Sequence, residues 1–151
     1  VRSEVGVGTQ IKVGLTYQLD TSINGNQENT KLDLHDKRIL LVEDNEINME
    51  VAEFYLNVVH ANVDKAWNGL EAVEKIKEQP NKYSVIFMDI MMPKMSGDEA
   101  ARCIRKINPS IPIVAMSAQS EYSIDQTIMN DSISKPIDEQ KLNHILRKYV
   151  A

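Results

Sequence analysis

Val85-Ile86-Phe87-Met88-Asp89-Ile90-Met91-Met92-Pro93-Lys94-Met95-Ser96-Gly97 carries four apolar residues straight into a carboxylate. A short apolar run bounded by turn residues reads as a strand buried on both faces, as in a parallel sheet. An acid closing such a run is either buried at high cost or set at the strand's carboxyl end, where open α/β sheets place their ligands. The pattern recurs on both sides of it. Ile39-Leu40-Leu41-Val42 runs into Glu43-Asp44, Ile113-Val114-Ala115-Met116 into Ser117, and Ser132-Ile133-Ser134 into Lys135-Pro136. Taken singly, these are a helix cap, a turn residue and a solvated lysine. An acid pair, an acid, a hydroxyl and an amine at four strand ends make a site.

Helical periodicity fills the gaps between the strands. A first strand over about 38–43 leads to a helix over about 46–59, capped by Asp44 or Asn45. That helix carries Ile47, Val51, Phe54, Tyr55 and Val58 on one apolar stripe, the kind that faces a core. A strand at 62–66 and the turn Asn68-Gly69 precede a helix at 69–78 with Leu70, Val73 and Ile76, ended by Pro80. A third helix starts at Ser96 with Glu99 completing a capping box, and stops near Asn108-Pro109. A strand at 112–116, a helix at 121–130 resting on Ile124, Ile128 and Met129, a strand at 131–134 and a helix from Asp138 to about Tyr149 complete the pattern. Five alternating βα units with short connections imply a parallel sheet between two helical layers.

Composition allows this and excludes several classes. Apolar residues at 42% and charged residues at 26% of 151 positions are ordinary for a globular chain. A net charge of −5 argues against nonspecific nucleic-acid binding and against an anionic membrane surface. The single Cys103, inside a helix, reads as a small core residue. Neither a long apolar run nor a signal-peptide pattern is present, so the chain reads as cytoplasmic, a fragment whose parent can still be membrane-anchored. Three zones differ in composition. Residues 1–17 hold a glycine turn and then alternation at Ile11, Val13, Leu15 and Tyr17; residues 18–36 are polar enough to read as a linker; residues 37–151 form the compact domain.

Three carboxylates brought together repel unless a cation sits among them. Oxygen donors suit Mg²⁺, with Asp44 and Asp89 as direct ligands, the Met91 carbonyl as a third, and Glu43 holding a coordinated water. No His or Cys stands at zinc spacing. A cation here also lets a carboxylate act as nucleophile on phosphorus, giving an aspartyl phosphate. Catalysis of phosphoryl transfer is chiefly positioning and neutralisation of the equatorial oxygens. The cation can take one, Lys135 another, and the Ser117 hydroxyl with a nearby amide, that of Ala118, the third.

Val42-Glu43-Asp44-Asn45, Asn68-Gly69-Leu70-Glu71-Ala72, Met88-Asp89-Ile90-Met91-Met92-Pro93, Met116-Ser117-Ala118 and Ser134-Lys135-Pro136-Ile137 together resemble the receiver domain of two-component signalling, over residues 37–150. The resemblance implies a flavodoxin-like (CheY-like) doubly wound sheet of order 2-1-3-4-5. It also implies Asp89 as phosphoacceptor, Mg²⁺ as cofactor, phosphate readout by Ser117 and Lys135, and a cis peptide before Pro136. Ser3-x-x-Gly6-x-Gly8-Thr9-x-Ile11 looks like the last glycine box of a histidine-kinase ATP-binding domain, which suggests the C-terminal piece of a hybrid sensor histidine kinase. Such a piece lacks ATP-dependent kinase activity of its own. Its expected partners are a histidine-phosphotransfer protein and the kinase core of its parent, not nucleic acid. One position departs from the family: where many receivers carry an aromatic switch residue, three residues before the lysine, this chain has Ser132.

The partner's histidine must come in line with Asp89, so docking falls to Asn45, Ile47, Asn48 and Val51 on one side and Pro136 and Ile137 on the other. Ile47 has equal claim to the helix's core stripe, which makes Ile137 the cleaner probe. Alternatives are a stand-alone response regulator, a pseudo-receiver that only binds, and a Mg²⁺-dependent phosphohydrolase. Retention of Glu43, Asp44, Asp89 and Lys135 argues against the pseudo-receiver. Met91, where a dehalogenase-like hydrolase needs a second acid, argues against the hydrolase.

Overall fold

A computed structural model of the protein describes residues 32–118 and 123–150. Among these residues five strands, β1 (Arg38–Val42), β2 (Asn62–Ala66), β3 (Val85–Asp89), β4 (Ile113–Ser117) and β5 (Asp131–Ser134), form one sheet in the order β2-β1-β3-β4-β5. Every neighbouring pair is parallel. The helices α1 (Glu46–Val58), α2 (Gly69–Glu78) and α3 (Gly97–Ile107) lie in the connections, and α4 (Glu139–Tyr149) follows β5. This is the expected flavodoxin-like sheet.

Alternate residues of a strand face opposite layers. Ile39, Leu41, Phe87 and Met116 therefore pack with Met49, Ala52 and Leu56 of α1 and Leu142, Ile145 and Leu146 of α4. Leu40, Val42, Met88 and Ala115 pack on the other side with Ala72, Val73 and Ile76 of α2 and Ala100, Ala101 and Ile104 of α3. Both faces of β3 are buried, and its sequence is apolar up to Asp89, the residue that ends it. Each helix opens on a side-chain cap: Asn45, Asn68, Ser96 and Asp138 each accept a backbone N–H from three residues on. At Ser96 the reciprocal bond from Glu99 completes the capping box. Among the described residues no helix is long and apolar enough to cross a membrane.

Three expectations are corrected. No helix forms over 123–130; Asp125 instead closes a turn, its Oδ1 accepting from the Thr127 N–H and hydroxyl, which turns Ile128 and Met129 into the core. A side chain that offers the backbone such a local alternative competes with helix. Residues 119–122 of that expected helix lie outside the described residues. Most of the apolar stripe of α1 faces outward: Ile47, Val51, Phe54 and Val58 are exposed and only Tyr55 packs against the core, which Met49, Ala52 and Leu56 hold. The compact unit also starts earlier than Lys37, at Leu32. Leu32 and Leu34 are buried, and the Leu34 N–H donates to the Val59 carbonyl at 2.7 Å. Their flanks are polar, so windowed composition hid two anchoring leucines. The glycine box expected in residues 1–17 lies outside the described residues.

Candidate functional site

The ladders of β1, β3 and β5 continue one residue past their ends, which fixes where the polar groups stand. Glu43 N–H donates to Ala66 O (3.1 Å), Ile90 N–H to Met116 O (3.2 Å) and Lys135 N–H to Ser117 O (2.8 Å). The registers Val42↔Met88, Asp89↔Met116 and Ser117↔Ser134 then align Glu43, Asp89, Ser117 and Lys135 along one carboxyl edge. The Lys135–Pro136 peptide is cis.

The carboxylates of Glu43, Asp44 and Asp89 approach so that one ligand oxygen of each lies within 4.8 Å of the others. Glu43 is 2% and Asp89 3% exposed, whereas Asp44 faces solvent. This is a hard, all-oxygen donor set, open on one side, and it fits Mg²⁺ with waters completing the shell. Lys135 Nζ lies 2.8 Å from Glu43 Oε2 and 3.0 Å from Asp89 Oδ1. Asn45 N–H donates to Glu43 Oε1 at 3.2 Å, fixing that side chain from the start of α1. Burial pushes the Glu43 carboxyl up to about 7; Lys135 opposes the rise and Asp89 adds to it. Burial works against the Lys135 ammonium too, but its bonds to Glu43 and Asp89 outweigh that and hold its pKa above the ordinary value.

Ser117 is buried at the end of β4, and Ala118 beyond it is exposed. Met91 is 74% exposed beside the site, with its N–H 3.4 Å from Asp89 Oδ1. Ser132 is half-buried on β5, where its N–H donates to Asp131 Oδ1.

Sequence reasoning passed over Gly97. Its N–H donates to the Ile90 carbonyl at 3.0 Å, and a Cβ there would collide with the Asp89 carbonyl oxygen and crowd Ile90 Cα. The first turn of α3 thus lies directly on the backbone that carries Asp89. The available signal was a glycine immediately after the Ser96 cap.

Beside the site, Glu43, Asn48, Val51, Lys135, Pro136 and Ile137 help to line a cleft of about 70 Å³. Two of the expected docking residues exchange roles. Ile137 is buried in the α1–α4 core, while Ile47 is 70% exposed on α1. Asn45 and Asn48 are exposed, and the apolar surface continues from Ile47 and Val51 to Phe54 and Val58.

Residues 39–147 match the profile of the response regulator receiver domain. The chain is 40% identical over 123 residues to the osmosensing histidine protein kinase SLN1 of Saccharomyces cerevisiae, covering 76% of this chain and 10% of the kinase. It is 40% identical over 118 residues to the two-component response regulator ORR41 of Oryza sativa, covering 74% of this chain and 93% of that protein. Several curated relatives are far longer, and the chain spans 10–17% of their length. Among solved structures, the receiver domain of the Pseudomonas aeruginosa sensor histidine kinase PA1611 superposes with a TM-score of 0.69 at 33% identity, over 75% of this chain and 96% of that one; it holds a magnesium ion in its active-site cleft.

Proposed function

Because this chain belongs to the response regulator receiver domain family, we propose that it is a phosphorelay receiver. It takes a phosphoryl group from a phosphohistidine onto Asp89 and passes it to a histidine-phosphotransfer partner. The observation that carries this is the buried Asp89 carboxylate, flanked by Glu43 and Asp44 and bonded to Lys135 at the open edge of the sheet. An Asp89 carboxylate oxygen attacks phosphorus; the P–O bond forms as the P–N bond breaks, and the electron pair leaves with the imidazole nitrogen. Lys135 neutralises one phosphoryl oxygen, and the Ser117 hydroxyl with the Ala118 amide a second. Asp44, Asp89 and the Met91 carbonyl, with Glu43 on a coordinated water, would hold Mg²⁺, which would supply the charge that neutralises the third oxygen and lets the carboxylates coexist.

In this reading the chain is part of a hybrid sensor histidine kinase, with residues 1–17 the end of its ATP-binding domain, and it works in the cytoplasm. The kinase relatives favour the hybrid-kinase part of that reading. The coverage of ORR41 favours a stand-alone regulator as the second. The exposed α1 face supports docking of the partner beside Asp89 rather than at the opposite end of the sheet.

Intact mass after acetyl phosphate tests the assignment. The chain with Mg²⁺ should gain one phosphoryl group, and the gain should vanish in Asp89→Asn and without Mg²⁺; full labelling of Asp89→Asn would overturn it. Asp44→Asn should weaken Mg²⁺ binding before it touches anything else.

A further inference from the structure

We propose that residues 32–37 form a strap that fastens the chain entering the domain to the C-terminal end of α1, so that releasing it loosens the docking helix and leaves the chemistry at Asp89 intact. The segment lies ahead of the region matched by the receiver profile, which begins at residue 39. It rests on the reading of α1 as the partner's docking helix.

Three independent fastenings meet there. Leu32 and Leu34 are buried against the core layer that α1 and α4 share, and the Leu34 N–H donates to Val59 O, the carbonyl of the residue that caps α1. The helix ends in a Schellman turn, with Ala61 N–H on Leu56 O at 3.1 Å and His60 N–H on Asn57 O at 2.9 Å. Its left-handed position, φ 64°, is held by His60 where glycine is the usual residue. That histidine contacts the strap through side-chain atoms: its Nδ1 lies 3.2 Å from Asp33 Oδ1. From the other side Asn62 Nδ2 donates to His35 O at 2.8 Å and to Lys37 O at 3.3 Å. Strap, helix end and the first residue of β2 therefore move as one piece. A pull on the chain before Leu32 reaches the turn next to Val58, the last exposed apolar residue of the α1 stripe.

Amide hydrogen exchange on the full chain reads the coupling directly. Asp33→Ala/Asn62→Ala removes the side-chain fastenings and spares the core, and Leu34→Ala removes the buried one. In either variant the amides of residues 56–61 should exchange about tenfold faster, while those of β1 and β3 keep their parent rates. Labelling by acetyl phosphate should stay within about twofold, and transfer from a phosphorylated histidine-phosphotransfer domain should slow about threefold, since only the docked reaction uses α1. Unchanged exchange at residues 56–61 in both variants would refute the strap. Faster exchange throughout the sheet, with labelling falling in step, would reduce it to ordinary core packing and overturn the proposal equally. Faster exchange of α1 with an unchanged transfer rate would overturn the coupling. Phe54→Ser measured in parallel then separates the causes: slowed transfer in Phe54→Ser leaves the docking reading standing without the strap, and unchanged transfer removes both.

Discussion

Lys135 bonds two buried carboxylates at once, Glu43 and Asp89, and so does more in this fold than wait for a phosphate. An ammonium in that position relieves the repulsion between the two acids. The strand-end pattern said which residue types meet at this edge but not which of them pair, because pairing depends on side-chain reach across β1, β3 and β5. Lys135→Ala should therefore cost about 3 kcal/mol without metal, as buried charges lose their partner. Mg²⁺ affinity should be equal or tighter, because a competing cation is gone, and saturating Mg²⁺ should raise the melting temperature more than it does in the parent. The structural response to beryllofluoride should be blunted. A smaller Mg²⁺-induced thermal shift in the variant would mean that Lys135 helps to hold the metal, contrary to the roles assigned here.

The element that sets Asp89 in place is the first turn of α3, and Gly97 is its point of contact. Gly97→Ala should displace the Asp89–Ile90 backbone, costing about 1–3 kcal/mol in urea unfolding. Asp89 labelling should slow about tenfold or more, since small displacements of a reacting group are expensive; a normal labelling rate would show that the loop absorbs the methyl. At the other end of the sheet Asp64 joins β1, β2 and the turn before β3, with Arg38 Nη1 at 2.9 Å, the Tyr83 hydroxyl at 2.7 Å and Lys82 Nζ at 3.0 Å. Burial pushes its carboxyl up, but the Tyr83 and Lys82 hydrogen bonds and the nearby cationic charges outweigh this and hold it below the usual range. A depressed folded pKa gives stability that is complete above the unfolded value near 4 and is lost as pH falls through the folded one. Asp64→Asn should thus flatten the loss of stability below about pH 4, read from urea midpoints against pH. An acid limb like the parent's would deny Asp64 that role. Strands were the legible elements, since β3 and β4 are buried on both faces and announce themselves as apolar runs. Helix faces were less legible. In α1 the residues that hold the core are Met49, Ala52 and Leu56; of the more hydrophobic-looking stripe only Tyr55 packs against it, and Ile47, Val51, Phe54 and Val58 point out, so periodicity found the helix and misassigned most of its face. At 123–130 the apolar spacing was real, but the Asp125 turn satisfied it without a helix.

At the scale of the whole molecule, that outward stripe gives the domain two unlike ends: a carboxyl edge bearing the chemistry with an apolar helix face beside it, and an opposite edge closed by ion pairs. Ile47, Val51, Phe54 and Val58 follow one another at spacings of four, three and four, the seam on which a second helix packs. Glu46, Glu50 and Glu53 accompany them, and α1 carries no lysine or arginine. Two copies laid seam to seam would set acid against acid, whereas a partner helix with basic flanks would be drawn in. Transfer from a phosphorylated histidine-phosphotransfer domain should accordingly slow with rising salt, while labelling by acetyl phosphate, which needs no docking, should depend on salt far less. Ile47→Asp and Phe54→Ser should each slow that transfer about tenfold, the effect of losing one well-packed interface side chain, with acetyl phosphate labelling unchanged. Ile137→Asp is the contrasting control. Ile137 is 9% exposed within the α1–α4 core, so an aspartate there buries a charge, and stability and both phosphorylation rates should fall together. If Ile137→Asp instead slowed only the partner's reaction while Ile47→Asp and Phe54→Ser did nothing, the partner would be gripping the loop after β5, and the apolar face of α1 would need another occupant.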